Sequence, residues 1–175
     1  MDRFYTDTVG VNGRAEEEAV RWLLRYAVDR RADRAAIVVP SVESSSNLSR
    51  VLGNEDGATL ISKRTIPVGG VLLELFTQRT LPPAEYPGPV LVLWSGRNEV
   101  EKVERLNPPA LCAVQWVEGE LDEWARTWGA VELLTGTSEQ SEPAPPVVRG
   151  AVFAMSRSGG IATPRISPRQ FGLSR

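Results

Sequence analysis

Histidine is absent from this chain of 175 residues, and cysteine occurs only once, at Cys112. Histidine is the commonest general base, metal ligand and pH switch of proteins near neutrality. Its absence excludes Ser-His-Asp and Cys-His catalytic sites and, with a single cysteine, structural zinc sites. We therefore expect no metal and no cofactor. One cysteine also allows no intramolecular disulfide, which is typical of a reducing compartment.

Long apolar runs are missing as well. No segment approaches the ~20 consecutive apolar residues that a membrane-spanning helix requires. The chain begins Met1-Asp2-Arg3-Phe4-Tyr5, without the basic segment and apolar run of a secretory signal. We therefore expect a cytoplasmic protein that has no contact with a membrane.

Charge is low overall but unevenly distributed. The net charge is −2 and the isoelectric point is near 5.4, which argues against nucleic-acid binding over the whole surface. Residues 89–146 hold ten acidic and four basic side chains, whereas residues 147–175 hold five arginines and no acidic side chain. The end of the chain therefore differs electrostatically from the rest.

The spacing of apolar residues predicts the secondary structure. A helix is predicted over 14–31, with Asn12 as its N-terminal cap. Shorter helices are predicted over ranges with the same spacing, 48–52, 97–106 and 121–128. Continuous apolar runs predict buried strands, at 35–40, 58–62, 71–76, 89–94, 110–116 and 131–134. This alternation predicts an α/β fold, with a mostly parallel, Rossmann-like three-layer sheet, helices on both of its faces, and a C-terminal tail.

Composition divides the chain into three parts. Residues 1–134 have the size and pattern of one α/β domain. Residues 135–146 contain no large apolar side chain and are rich in Ser, Thr, Pro and Gly, which indicates a Pro/Ser-rich linker. Residues 147–175 form the predicted basic C-terminal tail.

Polar side chains follow three of the predicted strands, where ligands bind in open α/β sheets. This candidate ligand-binding set comprises Ser44, Ser45, Ser46, Asn47, Lys63, Arg64, Ser95 and Arg97. Hydroxyls and free N–H groups at helix starts bind anions, and basic side chains neutralise them, so the set suits a phosphate-containing small molecule. Serines before a helix also serve as caps, and neither G-x-x-x-x-G-K-[ST] nor G-x-G-x-x-G occurs. Both interpretations stay open.

Other residues near this edge have two interpretations each. Trp94 ends the strand at 89–94 and is the tryptophan best placed to meet a ligand. Trp116, Trp124 and Trp128 are expected to pack over the sheet, with an aromatic ligand pocket or a partner surface as the alternative. The acidic residues around Glu120 suit the start of the helix at 121–128, with a Mg²⁺ or acid-base role as the alternative.

The tail contains the candidate partner-binding residues, which are Val152, Phe153, Arg157, Arg165 and Arg169. The apolar segment 152–155 suits addition of a strand to a sheet edge, in this chain or in another. The arginines suit an acidic protein face, the chain's own acidic segment, or phosphates. We expect a protein partner or self-association through the tail, with nucleic-acid binding as the least favoured of these roles.

Two functional classes follow. The first is a non-catalytic α/β module that binds a ligand or a partner and carries a basic C-terminal docking tail, because the usual catalytic residue types are missing. The alternative is an enzyme that acts on a phosphorylated small molecule or nucleotide bound at the strand C-terminal ends. A cleft that holds both Ser44 and Arg97 would favour a ligand, and a filled sheet edge would favour a protein partner.

Overall fold

Seven strands form one mixed sheet in a computed structural model that describes residues 1–8 and 10–136. The strands are, in chain order, β1 (Asp2–Thr6), β2 (Arg34–Val39), β3 (Thr65–Val68), β4 (Val71–Thr77), β5 (Val90–Leu93), β6 (Ala110–Val114) and β7 (Val131–Glu132). Their order across the sheet is β3-β4-β2-β5-β6-β1-β7. The pairing is parallel except between β3 and β4. The predicted α/β class and the mostly parallel sheet are therefore confirmed.

Five α-helices occur within the same described residues. They are α1 (Gly13–Asp29), α2 (Leu48–Leu52), α3 (Asn54–Lys63), α4 (Arg97–Glu104) and α5 (Asp122–Trp128), and a 3₁₀ turn over Glu43–Asn47 precedes α2. The four predicted helices are confirmed to within two residues at each end. The predicted cap of α1 is confirmed too, because the Ala15 N–H donates to Asn12 Oδ1 at 3.2 Å.

The predicted strand at 58–62 is wrong, because this segment forms the second half of α3. Its apolar run is covered on one side only, since Leu60 is buried and Ala58 is exposed. Gly57 allows the helix to pack closely: a Cβ at this position would lie 2.7 Å from Ser49 N and closer still to Ser49 Cα. The backbone contact between α2 and α3 therefore depends on a residue without a side chain.

The sequence patterns do not predict β1 or β3. Strand β1 begins with two charged residues followed by two aromatic ones, so it lacks a continuous apolar run, and it lies between β6 and β7. Strand β3 contains Pro67, which is tolerated because β3 is an edge strand. It turns into β4 through Gly69 and Gly70, whose φ angles of +58° and +87° favour glycine.

The central strands are buried on both faces. Every residue of β5 and β6 is buried, which explains why these segments are apolar throughout. Alternate strand residues belong to two separate apolar clusters. Ile37 and Leu91 pack in a cluster with residues of α1 and α3, whereas Val38 and Val92 pack in a cluster with residues of α4 and α5.

The direction of the connections reverses between β2 and β5. After β2 the chain runs through α2 and α3 toward β3 and β4, and after β5 it runs through α4 toward β6, on the other side in the sheet order. Leu60 of α3 and Val100 of α4 belong to the two different clusters. Loops that diverge in this way leave a crevice beyond the carboxyl ends of the two strands. This position is therefore where the fold favours a ligand-binding site.

Part of the predicted organisation lies outside the described residues. This holds for the linker from residue 137 onward, for the tail at 147–175, and for the candidate partner-binding residues Val152, Phe153, Arg157, Arg165 and Arg169. The domain boundaries stay predictions. In the part of the chain that the structure describes, no helix is both long and apolar enough to cross a membrane.

Candidate functional site

A cleft of about 290 Å³ opens beyond the carboxyl ends of β2 and β5. It is lined by Pro40, Ser44, Asn47, Trp94 and Trp116. Pro40 directly follows β2 and Trp94 directly follows β5, while Trp116 lies just beyond β6. The cleft is therefore at the reversal of the strand order, and its volume is near the lower limit of ligand pockets, which measure ~300–1,000 Å³. These dimensions suit a small ligand.

Trp94 forms a wall of this cleft and is held firmly in place. The residue is only 5% exposed, and its Nε1 donates to Glu16 Oε1 at 2.7 Å. Its φ angle of +54° lies in the left-handed region, which bulky residues rarely adopt. Strained backbone of this kind is concentrated at functional sites, where the surrounding contacts maintain it.

Glu16 lies behind this wall in the first turn of α1 and is completely buried. Its Oε1 also accepts a hydrogen bond from Asn12 N at 3.2 Å, and its Oε2 pairs with the Arg50 guanidinium of α2. A buried carboxylate needs such partners, because an unpaired charge in the interior is costly. These contacts connect α1, α2 and the end of β5 behind the cleft.

Ser44 and Asn47 supply the hydrogen-bonding side chains of the cleft. Ser44 N donates to Ser41 Oγ at 3.3 Å, and the two hydroxyl oxygens lie 3.1 Å apart. Asn47 is half-buried, and its side-chain amide has no hydrogen bond with another described residue. An amide carries both donors and an acceptor, so Asn47 is available to a ligand.

Exposed apolar side chains lie on the loops that follow three strands at this edge of the sheet. They are Val11, Val42, Trp116 and Val117, which are 45–53% exposed. The four follow β1, β2 and β6, and Gly10 N donates to Trp116 O at 3.0 Å, which joins two of these loops. Exposed apolar surface therefore occurs on three of the loops at this edge.

The remaining serines of the predicted set bond to their own backbone. Ser45 and Ser46 each donate through Oγ to the carbonyl three residues earlier, and Ser45 is buried. Ser95 is buried as well, and its Oγ donates to Leu93 O at 3.0 Å. These hydroxyls donate to carbonyls, whereas a helix cap accepts from a backbone N–H, so the three serines neither cap a helix nor line the cleft. Of the predicted serines and asparagine, Ser44 and Asn47 line the cleft.

Arg97 also lies outside the lining of the cleft, and it has acidic partners. Its Nε donates to Glu101 Oε1 at 2.7 Å, and its Nη1 pairs with Glu123. The hydrogen bond to Glu101, followed by the charge of Glu123, raises the pKa of the guanidinium. A ligand anion would have to compete with these two carboxylates.

Lys63 and Arg64 lie at the end of a helix, and not after a strand as the sequence had predicted. Lys63 is the exposed last residue of α3, and Arg64 caps the helix with a φ of +66°. Neither residue lines the cleft. Arg64 Nη1 is buried and has no hydrogen-bond partner among the residues that the structure describes. Anion binding by the two residues stays a prediction.

The start of α4 faces a carboxylate of the chain itself. Gly96 is the N-terminal cap of α4, and a Cβ at this glycine would clash with Glu120 Oε1. A helix N-terminus attracts negative charge, and here the Glu120 carboxylate lies close enough to supply it. Within residues 1–8 and 10–136, no group of three acidic or cysteine side chains could hold a metal ion.

Sequence reasoning found part of this site. It identified the loop with Ser44 and Asn47, and it singled out Trp94. Packing over the sheet was the main expectation for three tryptophans, but Trp116 is 48% and Trp128 is 51% exposed, whereas Trp124 is buried. Trp116 lies two residues beyond the end of β6, in the lining of the cleft. Glu16 was missed because an acidic residue in the first turn of a helix is common for dipole reasons alone.

Comparisons with known proteins found no family model, no curated protein and no solved structure that matches this chain. The cleft must therefore be interpreted from its own geometry and chemistry.

Proposed function

We propose that this protein is a non-catalytic α/β binding module whose cleft takes a small molecule. The position of the cleft carries the proposal, because it lies at the reversal between β2 and β5, where open α/β sheets bind ligands. Its lining combines apolar walls with two polar side chains, a composition typical of small-molecule sites.

We also infer a Rossmann-like three-layer arrangement, with helices on both faces of the sheet. It is supported by the division of the helices between two apolar clusters. In such folds the two layers of helices diverge at the reversal, which accounts for the place of the cleft. The single cysteine supports a cytoplasmic location for the protein.

The alternative of an enzyme acting on a phosphorylated molecule or nucleotide has less support. The lining contains no carboxylate, amine or thiol that would serve as a general acid, a base or a nucleophile. Arg97 is paired with two carboxylates, and Lys63 and Arg64 lie elsewhere. We therefore assign no catalytic role to the cleft. The docking role of residues 147–175 remains part of the proposal, and removal of this segment should abolish partner capture.

A cleft-filling variant tests the proposed function. Ser44→Trp would occupy the cleft, and Ser46→Trp, on an exposed position of the same turn, is the matched control. A ligand from a broad metabolite panel should raise the melting temperature of the parent and of Ser46→Trp, because binding stabilises the native state. It should not raise that of Ser44→Trp. An equal shift in both variants, or no shift of the parent with any compound, would overturn the proposal.

A further inference from the structure

The two tryptophans of the cleft indicate what kind of small molecule it takes. We propose that the ligand carries an uncharged, planar heteroaromatic ring of the chemical class of the nucleobases, stacked on Trp116 and hydrogen-bonded at its edge by Asn47. This inference rests on the proposed function and adds the class of ligand.

The indoles offer flat apolar surface at a concave position. Trp116 is 48% exposed although it lines the cleft, whereas Trp94 is fixed by its hydrogen bond to Glu16. In the described part of the chain the two indoles make no ring contact with each other. The face of Trp116 is therefore not covered by its neighbour. Flat heteroaromatic rings stack favourably on such a face.

The lack of charge in the lining indicates an uncharged ligand. None of the five lining residues is acidic or basic. The nearby Arg50 pairs with Glu16, and Arg97 pairs with acidic residues. A phosphate in the cleft would lose water without gaining a free cation, which is costly.

The two polar residues suit the edge of a heteroaromatic ring. The amide of Asn47 offers a donor and an acceptor side by side, the pattern with which Asn pairs with adenine. The hydroxyl of Ser44 adds one further donor or acceptor. A cleft of about 290 Å³ has room for one ring system rather than a dinucleotide. A sugar also stacks on tryptophan, but its many hydroxyls would find only these two polar side chains.

Calorimetric titration of the full chain tests this inference. The probes are adenosine, guanosine, cytidine and uridine, with AMP as a charged probe and glucose as a sugar. The variants are Trp116→Ala and Asn47→Leu, and Trp128→Ala is the matched control because Trp128 is 51% exposed and lies under Arg3. At least one nucleoside should bind the parent and the control. Trp116→Ala should weaken this binding on the order of ten- to a hundred-fold, and Asn47→Leu should weaken it about ten-fold.

The outcomes separate this inference from the proposed function. Nucleoside binding that is unchanged in Trp116→Ala, glucose that binds more tightly than every nucleoside, or AMP that binds ten-fold more tightly than adenosine would each overturn the ring proposal. Suppose that no nucleoside binds, but another compound raises the melting temperature of the parent and not that of Ser44→Trp. Then only the ring proposal fails. If no compound binds in either experiment, both proposals fail.

Discussion

Replacement of Glu16 by alanine should destabilise the protein, because Glu16 supports the Trp94 wall of the cleft. The Glu16 carboxylate is fully buried and accepts hydrogen bonds from Trp94 Nε1 and Asn12 N, and it pairs with Arg50. In Glu16→Ala all three partners lose their acceptor. The indole N–H is affected most, because Trp94 is only 5% exposed and water has little access to it.

The expected decrease in the free energy of unfolding follows from these contacts. A buried donor that is left unpaired costs ~1–3 kcal/mol, and a lost backbone hydrogen bond costs ~0.5–1.5 kcal/mol. Arg50 is 45% exposed and regains water, so the broken ion pair adds little. The total is about 3 kcal/mol, which lowers the melting temperature of a chain of this size by roughly 6–12 °C. The variant should still fold, because domains are stable by ~5–15 kcal/mol.

Urea and thermal denaturation of the full chain measure this loss. Glu16→Gln keeps an oxygen that can accept the hydrogen bond from Trp94, so it should lose less stability than Glu16→Ala. A double-mutant cycle with Trp94→Phe isolates the contact, because phenylalanine removes the donor that Glu16→Ala leaves unpaired. In the Trp94→Phe background, Glu16→Ala should cost about 1–2 kcal/mol less. An unchanged melting temperature in Glu16→Ala, or additive effects in the cycle, would refute the reasoning.

Two further predictions concern packing and pH. Replacing glycine by alanine ordinarily stabilises a helix by ~1 kcal/mol. Gly57→Ala should instead destabilise this protein, because its Cβ would lie 2.7 Å from Ser49 N. A melting temperature higher than that of the parent would contradict the close contact between α2 and α3. Burial, and then the hydrogen bond from Tyr86 Oη to Glu74 Oε2 at 2.7 Å, raise the pKa of the Tyr86 phenol. Unfolding then releases a proton above the ordinary pKa of ~10, so this contribution to stability is complete below that pH and is lost as the pH rises above it. Tyr86→Phe should lower stability at pH 8 but reduce the alkaline decline in urea denaturation from pH 8 to 11, and parallel declines would count against this assignment.

Local patterns in the sequence determined the class of fold. The runs that became β5 and β6 are apolar throughout because both faces of these strands are covered. The cap at Asn12 and the periodicity of α1 could also be predicted from the sequence, because each depends on residues within a few positions of one another. The loop with Ser44 and Asn47 was found because the end of β2 was placed to within one residue.

Only the tertiary structure decided how these elements combine into a site. The apolar run at 58–62 forms the second half of α3, which packs closely on α2 at Gly57. The acidic first turn and the basic last residue of α3 are local helix signals, but the tertiary contact lies outside any local pattern. The reversal between β2 and β5 is a property of strand order, and the contact between Glu16 and Trp94 joins residues 78 positions apart. Composition determined what chemistry the chain lacks. The cleft itself, with its exposed Trp116 and its paired arginines, exists because distant segments meet at one edge of the sheet.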